Sequence, residues 1–161
     1  PHLTPAEIER LRELAPLLAA RCGELERLGP PSLEHGDLWA SNMMIDQGRV
    51  TIFDWTDSSI SHPFFSLHLL LEDAGELLAD QPSASGFPAT ALIEQAYLAE
   101  WADWLPAGAD ARRAAELARL LAPLHHALHY HRRILPAMAQ RWEMENMVPW
   151  FLRRLLGLAG G

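Results

Sequence analysis

The stretch EHGDLWASNMMIDQGRVTIFDW, Glu34 to Trp55, gathers His35, Asp37, Asn42 and Asp54 in a chain otherwise rich in Ala and Leu. Asp37 and Asn42 lie five positions apart, and Asp54 follows the apolar run Thr51-Ile52-Phe53. Phosphoryl transfer from a nucleotide needs this inventory. One carboxylate accepts or orients the proton of an attacking hydroxyl, while an amide oxygen and a second carboxylate hold Mg²⁺ against the phosphates. Magnesium takes such hard oxygen ligands, usually one or two carboxylates beside phosphate and water. Taken singly, Asn and Asp are common turn formers with solvated side chains. The spacing makes the set chemical: a His-containing loop with Asp, four spacers and Asn, then an Asp closing a strand.

Those side chains need elements to hold them. Thr4 and Glu7 form a capping box, with Pro5 in the first turn, and Ile8, Leu11, Leu14 or Ala15, and Leu18 recur at helical spacing. Pro16 is expected to kink or split that helix. Gly29–Ser32 ends it. Met43–Asp46 and Arg49–Phe53 flank Gln47-Gly48 and read as a short hairpin whose second strand delivers Asp54. Asp57–Pro63 reads as a loop, and Pro63 opens a helix that runs to Asp80. Residues 81–88 are loop again. Ala89–Leu105 is amphipathic, with Ile93, Tyr97, Trp101 and Leu105 on one stripe. Asp110 suits a cap. Ala111–Leu135 is expected as two helices broken near Pro123, and Met144–Leu156 as one more. The fold class expected is α+β, mostly helical, with one small β-hairpin.

The 161 residues suffice for one domain or one lobe, spanning 1–161. A formal charge of −8 argues against a nucleic-acid partner, because neutralising phosphates needs a basic surface. Cys22 is the single cysteine, so no internal disulfide forms, and a reduced cytoplasmic setting is the expectation. No stretch approaches the roughly eighteen apolar residues of a membrane span. There is no charged-then-apolar leader, and the opening Pro1 suggests that residues once preceded it. All thirteen basic residues are arginine.

HGDLWASN followed by IFDW resembles the aminoglycoside phosphotransferase, or phosphotransferase enzyme, family, relatives of protein kinases whose catalytic loop reads His-Gly-Asp-x-x-x-x-Asn. HPFF and LHHAL are also similar to bacterial members. The resemblance implies a kinase-like C-terminal lobe whose hairpin carries the metal-binding Asp54, without the β-rich N-terminal lobe and its lysine. It implies transfer of the γ-phosphoryl of ATP, with Mg²⁺, to a small-molecule hydroxyl. Asp37 would be the catalytic base, Asn42 and Asp54 the Mg²⁺ ligands, and His35 the brace of this cofactor-binding loop. Gly36 would give the backbone room to turn, and Trp39 and Trp55 would pack beneath. The family places an aspartate where this chain has Ser66, and a hydroxyl cannot supply a buried charge. An isolated lobe would transfer phosphate slowly, and the missing lobe would be its natural partner.

Two rivals stand beside this reading: a non-catalytic kinase-like binding or regulatory module, and a metal-dependent hydrolase using His35, Asp37 and Asp54. His125 and His129 are spaced for a metal but read more simply as core or rim histidines. Glu72, Asp73, Glu76 and Asp80 read as a solvated helix face, or less simply as a surface that greets amino sugars. Trp101, Trp104, Trp142 and Trp150 read as packing. The last helix docks on protein rather than membrane.

Overall fold

A computed structural model describes residues 2–79 and 87–160, with the side chains of residues 142 and 143 also outside the description. In chain order the elements are α1 (Pro5–Glu26), β1 (Ser32–Glu34), β2 (Met43–Asp46), β3 (Arg49–Ile52), β4 (Ser59–Ser61), α2 (Phe64–Leu77), α3 (Ala89–Trp101), α4 (Ala111–His129), α5 (Leu135–Ala137) and α6 (Met147–Ala159). Mostly helical with two small antiparallel sheets, the chain is α+β. It divides into two compact units, residues 26–115 and residues 1–25 with 116–161.

The first of these units contains the polar stretch. Its hairpin pairs Met43 with Ile52 and Asp46 with Arg49. The turn residues Gln47 and Gly48 both have positive φ, 47° and 79°, the geometry that matches the twist of a two-residue hairpin. A second sheet joins β1 to β4 in the register Ser32–Ser61, Leu33–Ile60, Glu34–Ser59. The loop expected over Asp57–Pro63 is therefore in part a strand. Helix α2 begins at Phe64 and buries Phe64 through Leu69. Phe64 meets Tyr97 and Trp101 of α3 edge-on at 5.9 and 6.3 Å, and the Tyr97 hydroxyl donates to the Pro63 carbonyl at 2.8 Å. Tyr97 and Trp101 of the predicted stripe thus pack together on Phe64, while the helix ends at Trp101 and Leu105 lies beyond it. Burial pushes the Tyr97 phenol up to about 12.

In the other unit the Thr4–Glu7 capping box forms as expected: the Glu7 N–H donates to Thr4 Oγ1 at 3.2 Å and the Thr4 N–H to Glu7 Oε2 at 2.7 Å. Arg153 of α6 donates to Glu7 at 2.7 Å and to the His2 carbonyl at 3.0 Å. Its guanidinium holds the Glu7 carboxyl down at about 2. Pro16 does not split the first helix, because α1 runs on through it. The break at Pro123 is absent, and α4 continues to His129 before a π-helical stretch, Tyr130–Ile134. A helical proline strips the partner from the carbonyl four residues earlier. Those carbonyls belong to Arg12 and Arg119, two residues on the exposed side of their helices. No described helix is long and apolar enough to cross a membrane.

Candidate functional site

Three consecutive amides lead into Asp37, and each is held. The His35 N–H donates to Ser66 Oγ at 2.9 Å, the Gly36 N–H to Glu34 Oε1 at 2.8 Å, and the Asp37 N–H to His35 Nδ1 at 3.3 Å. His35 is 2 % exposed, and its Nε2 meets the Phe53 carbonyl at 3.0 Å. Donation by Nε2 and acceptance by Nδ1 fix one neutral tautomer. Gly36 has a φ of +84°, and a Cβ there would lie 2.2 Å from the Asp57 carbonyl oxygen. Only glycine passes at that distance.

The Asp37 carboxylate is oriented from two sides. Trp39 Nε1 donates to Oδ1 at 2.5 Å, and Asn42 Nδ2 donates to Oδ2 at 3.0 Å and to the Asp37 carbonyl at 2.8 Å. Trp39 is therefore a hydrogen-bonding partner of the carboxylate as well as a packing residue. A 3₁₀ turn, Ala40–Asn42, brings the amide back, and the Ala40 N–H donates to Asp73 Oδ2 at 2.6 Å. Asp37 and Asn42 are thus joined directly.

Asp54 reaches the cluster through its neighbour. The Phe53 N–H donates to the Asn42 carbonyl at 3.0 Å, while the Phe53 carbonyl receives His35. Asp54 itself has a φ of 60°, is exposed, and accepts from Thr56 Oγ1 at 2.7 Å. No hydrogen bond joins it to Asp37 or Asn42 among the described residues. Trp55 is 42 % exposed and tilts over the His35 ring at 4.5 Å, so it covers the cluster's edge instead of lying beneath it.

Ser66 leaves no gap in charge under the loop. It donates to Glu34 Oε1 at 3.2 Å, and Ser59 donates to Glu34 Oε2 at 3.3 Å. Glu34 is fully buried. Neither Glu34 nor Asp73 stands out in the sequence as a site residue. The clue to Glu34 was a carboxylate within a strand immediately before His-Gly-Asp. Asp73 had no clue beyond its place in an acidic run. That run is more than a solvated face: Glu72 also lies 3.5 Å from His68. Asp80 falls outside the described residues.

Asn42 Oδ1 and Asp54 Oδ2 accept no hydrogen bond from the described residues, and both are hard oxygens of the kind magnesium takes alongside water and phosphate. A three-ligand centre on His35, Asp37 and Asp54 does not fit, because both His35 nitrogens serve the chain's own backbone. Among the described residues no group of three or more His, Cys, Asp or Glu is arranged to hold a metal. The helical histidines conform to this: His125 and His129 stack at 6.3 Å, and His126 stacks on Phe151 at 5.1 Å. Trp104 is 71 % exposed, Trp150 carries Arg154 over its ring at 4.6 Å, and the Trp142 side chain lies outside the described residues. A cavity of about 280 Å³ opens between α2 and α3, lined by Ala74, Gly75, Leu78, Ala79, Pro88, Ala89 and Thr90 without a charged group.

No curated protein and no solved structure matches the chain. A family model does, that of the phosphotransferase enzyme family, over residues 2–81. The whole cluster from Glu34 to Asp73 lies inside the match. Residues 2–81 belong to the phosphotransferase enzyme family.

Proposed function

We propose that this chain is the C-terminal, kinase-like lobe of a small-molecule phosphotransferase, which moves the γ-phosphoryl group of ATP to a substrate hydroxyl. The observation that carries the reading is the direct pairing of Asp37 with Asn42, tied through Phe53 to the strand end that bears Asp54. The family match supports the same chemistry.

Asp37 orients the acceptor hydroxyl and takes its proton as the oxygen attacks phosphorus. The bond to the β-bridging oxygen breaks, and ADP leaves with that electron pair. Trp39 and Asn42 hold the carboxylate in one rotamer throughout, so alignment is ready before substrate arrives. Asn42 Oδ1 and Asp54 would hold Mg²⁺, which supplies charge neutralisation at the phosphates when bound. His35 braces the loop. The chain contains no lysine, so a cation on the nucleotide phosphates is an arginine or comes from the parent's N-terminal lobe.

Mg·ATP at millimolar concentration should raise the melting temperature, and Asp54→Ala should abolish the rise. ADP release on adding amino sugars or amino alcohols then identifies the acceptor class. No shift with nucleotide, and no ADP with any acceptor, would leave a non-catalytic module as the better description.

A further inference from the structure

We propose that Glu34 is the positioning residue of the Asp37 loop, acting through Ser66. The proposal deepens the phosphotransfer reading and rests on it for its purpose, though not for its geometry. Glu34 is 0 % exposed and contacts no reacting group in that scheme. A buried carboxylate is costly unless donors surround it, and here three converge: the Gly36 N–H, the Ser59 hydroxyl and the Ser66 hydroxyl.

The Ser66 bond sets direction. A hydroxyl has one proton, and Ser66 gives it to Glu34, which leaves its lone pairs facing the His35 N–H. Glu34 thereby fixes two successive peptide planes, one directly and one through the serine. The His35 ring fixes the third, at the Asp37 N–H. With Gly36 held at a φ of +84°, the Asp37 Cα has one place to be. Strand β4 supplies Ser59, and helix α2 supplies Ser66. Helix α2 thus holds the loop at two points, through Ser66 and through Asp73 on the Ala40 N–H.

The pair should therefore tolerate one carboxylate, on either residue, and not two. An aspartate at 66 accepts the His35 N–H as the serine does, but it sets like charges together while Glu34 remains. Glutamine at 34 removes the like charge and turns its amide N–H toward the new carboxylate; that nitrogen no longer accepts from the Gly36 N–H, so recovery is expected at the His35 amide.

The test is site-resolved amide exchange on the full chain, comparing the His35 and Gly36 amides with those of α6. E34A should speed exchange at both loop amides roughly tenfold or more, the scale of losing a hydrogen bond to a charged group, with α6 much less affected. E34Q should restore most of the protection. S66D should speed exchange at the His35 amide in the presence of Glu34, and the E34Q/S66D double variant should bring that amide back to within about threefold of the parent, well inside the tenfold that one step of 1.4 kcal/mol represents. In turnover assays E34A should lower kcat with little change in nucleotide KM. Loop exchange in folded E34A within twofold of the parent would overturn the proposal, as would S66D behaving alike with Glu or Gln at 34. Where E34A does not fold, the two S66D variants decide, and failure of the double variant to recover counts against the brace. Exchange that responds as described in a chain without transfer activity supports the brace and counts against the phosphotransfer reading instead.

Discussion

Gly36 and Gly48 offer a matched pair for testing the loop. Both have strongly positive φ, +84° and +79°. They differ in surroundings: a Cβ at Gly48 meets nothing within 4 Å, whereas one at Gly36 would sit 2.2 Å from the Asp57 carbonyl oxygen and 2.8 Å from its carbon. Gly48→Ala therefore carries the conformational term alone, about 1 kcal/mol. Gly36→Ala carries that term plus the cost of moving a backbone carbonyl, about 1–3 kcal/mol by analogy with overpacked cores. The predicted difference is then about 2 kcal/mol, which urea unfolding resolves through the midpoint at constant m. The displaced carbonyl precedes β4, so the Glu34–Ser59 contact should loosen in Gly36→Ala and stay intact in Gly48→Ala. Equal destabilisation by the two substitutions would show that the close approach at Gly36 does not exist in solution. The packing deduced around the His-Gly-Asp turn would then be wrong.

Asp37→Asn should cut turnover by about 10²–10⁴, the range for a positioned general base, while leaving the urea midpoint close to the parent's; ADP-release kinetics and unfolding on the same sample check both halves. Asp73→Ala removes the acceptor of the Ala40 N–H and should cost about 1.5–3 kcal/mol at most, since the pair is partly solvated, with Asp73→Asn recovering part of it in thermal unfolding. His62 supplies the pH prediction. Burial lowers it to about 4, and its Nε2 has no partner among the described residues. The unfolded chain therefore binds a proton that the folded chain refuses, so stability is full above pH 6.5 and falls as the pH drops toward 4, by about 3 kcal/mol in total. His62→Gln should flatten that limb of a stability-versus-pH curve. Glu7, whose carboxyl is held low by Arg153, adds a further loss between pH 4.5 and 2.

The Asp37–Asn42 contact and the hairpin that follows it were legible because they are set by local spacing. Asp37, Asn42 and Asp54 occupy a short span, and Gln47-Gly48 announces the turn that folds it. The capping box and the α3 stripe are equally local. Strands β1 and β4 were not legible: three residues are too few to show alternation, and Ser, Leu, Glu and Ile there carry no turn signal. With them went Glu34, because a glutamate is read as exposed unless the hydroxyls that satisfy it are known, and those come from 25 and 32 residues away. The break expected at Pro123 did not follow, because a proline's cost depends on what else in the fold serves the carbonyl it strands. The break actually present in the last long helix, the π-helical stretch at Tyr130–Ile134, contains no proline.

Every tie that shapes the Asp37 loop closes over a short length of chain: 18 residues for His35 to Phe53, 31 for His35 to Ser66 and 33 for Ala40 to Asp73. Closing such short segments costs little entropy, and local topologies form quickly. As the nascent polypeptide leaves the ribosome, the partners in those ties are available once residue 73 has emerged, before α3 through α6 have left the exit tunnel.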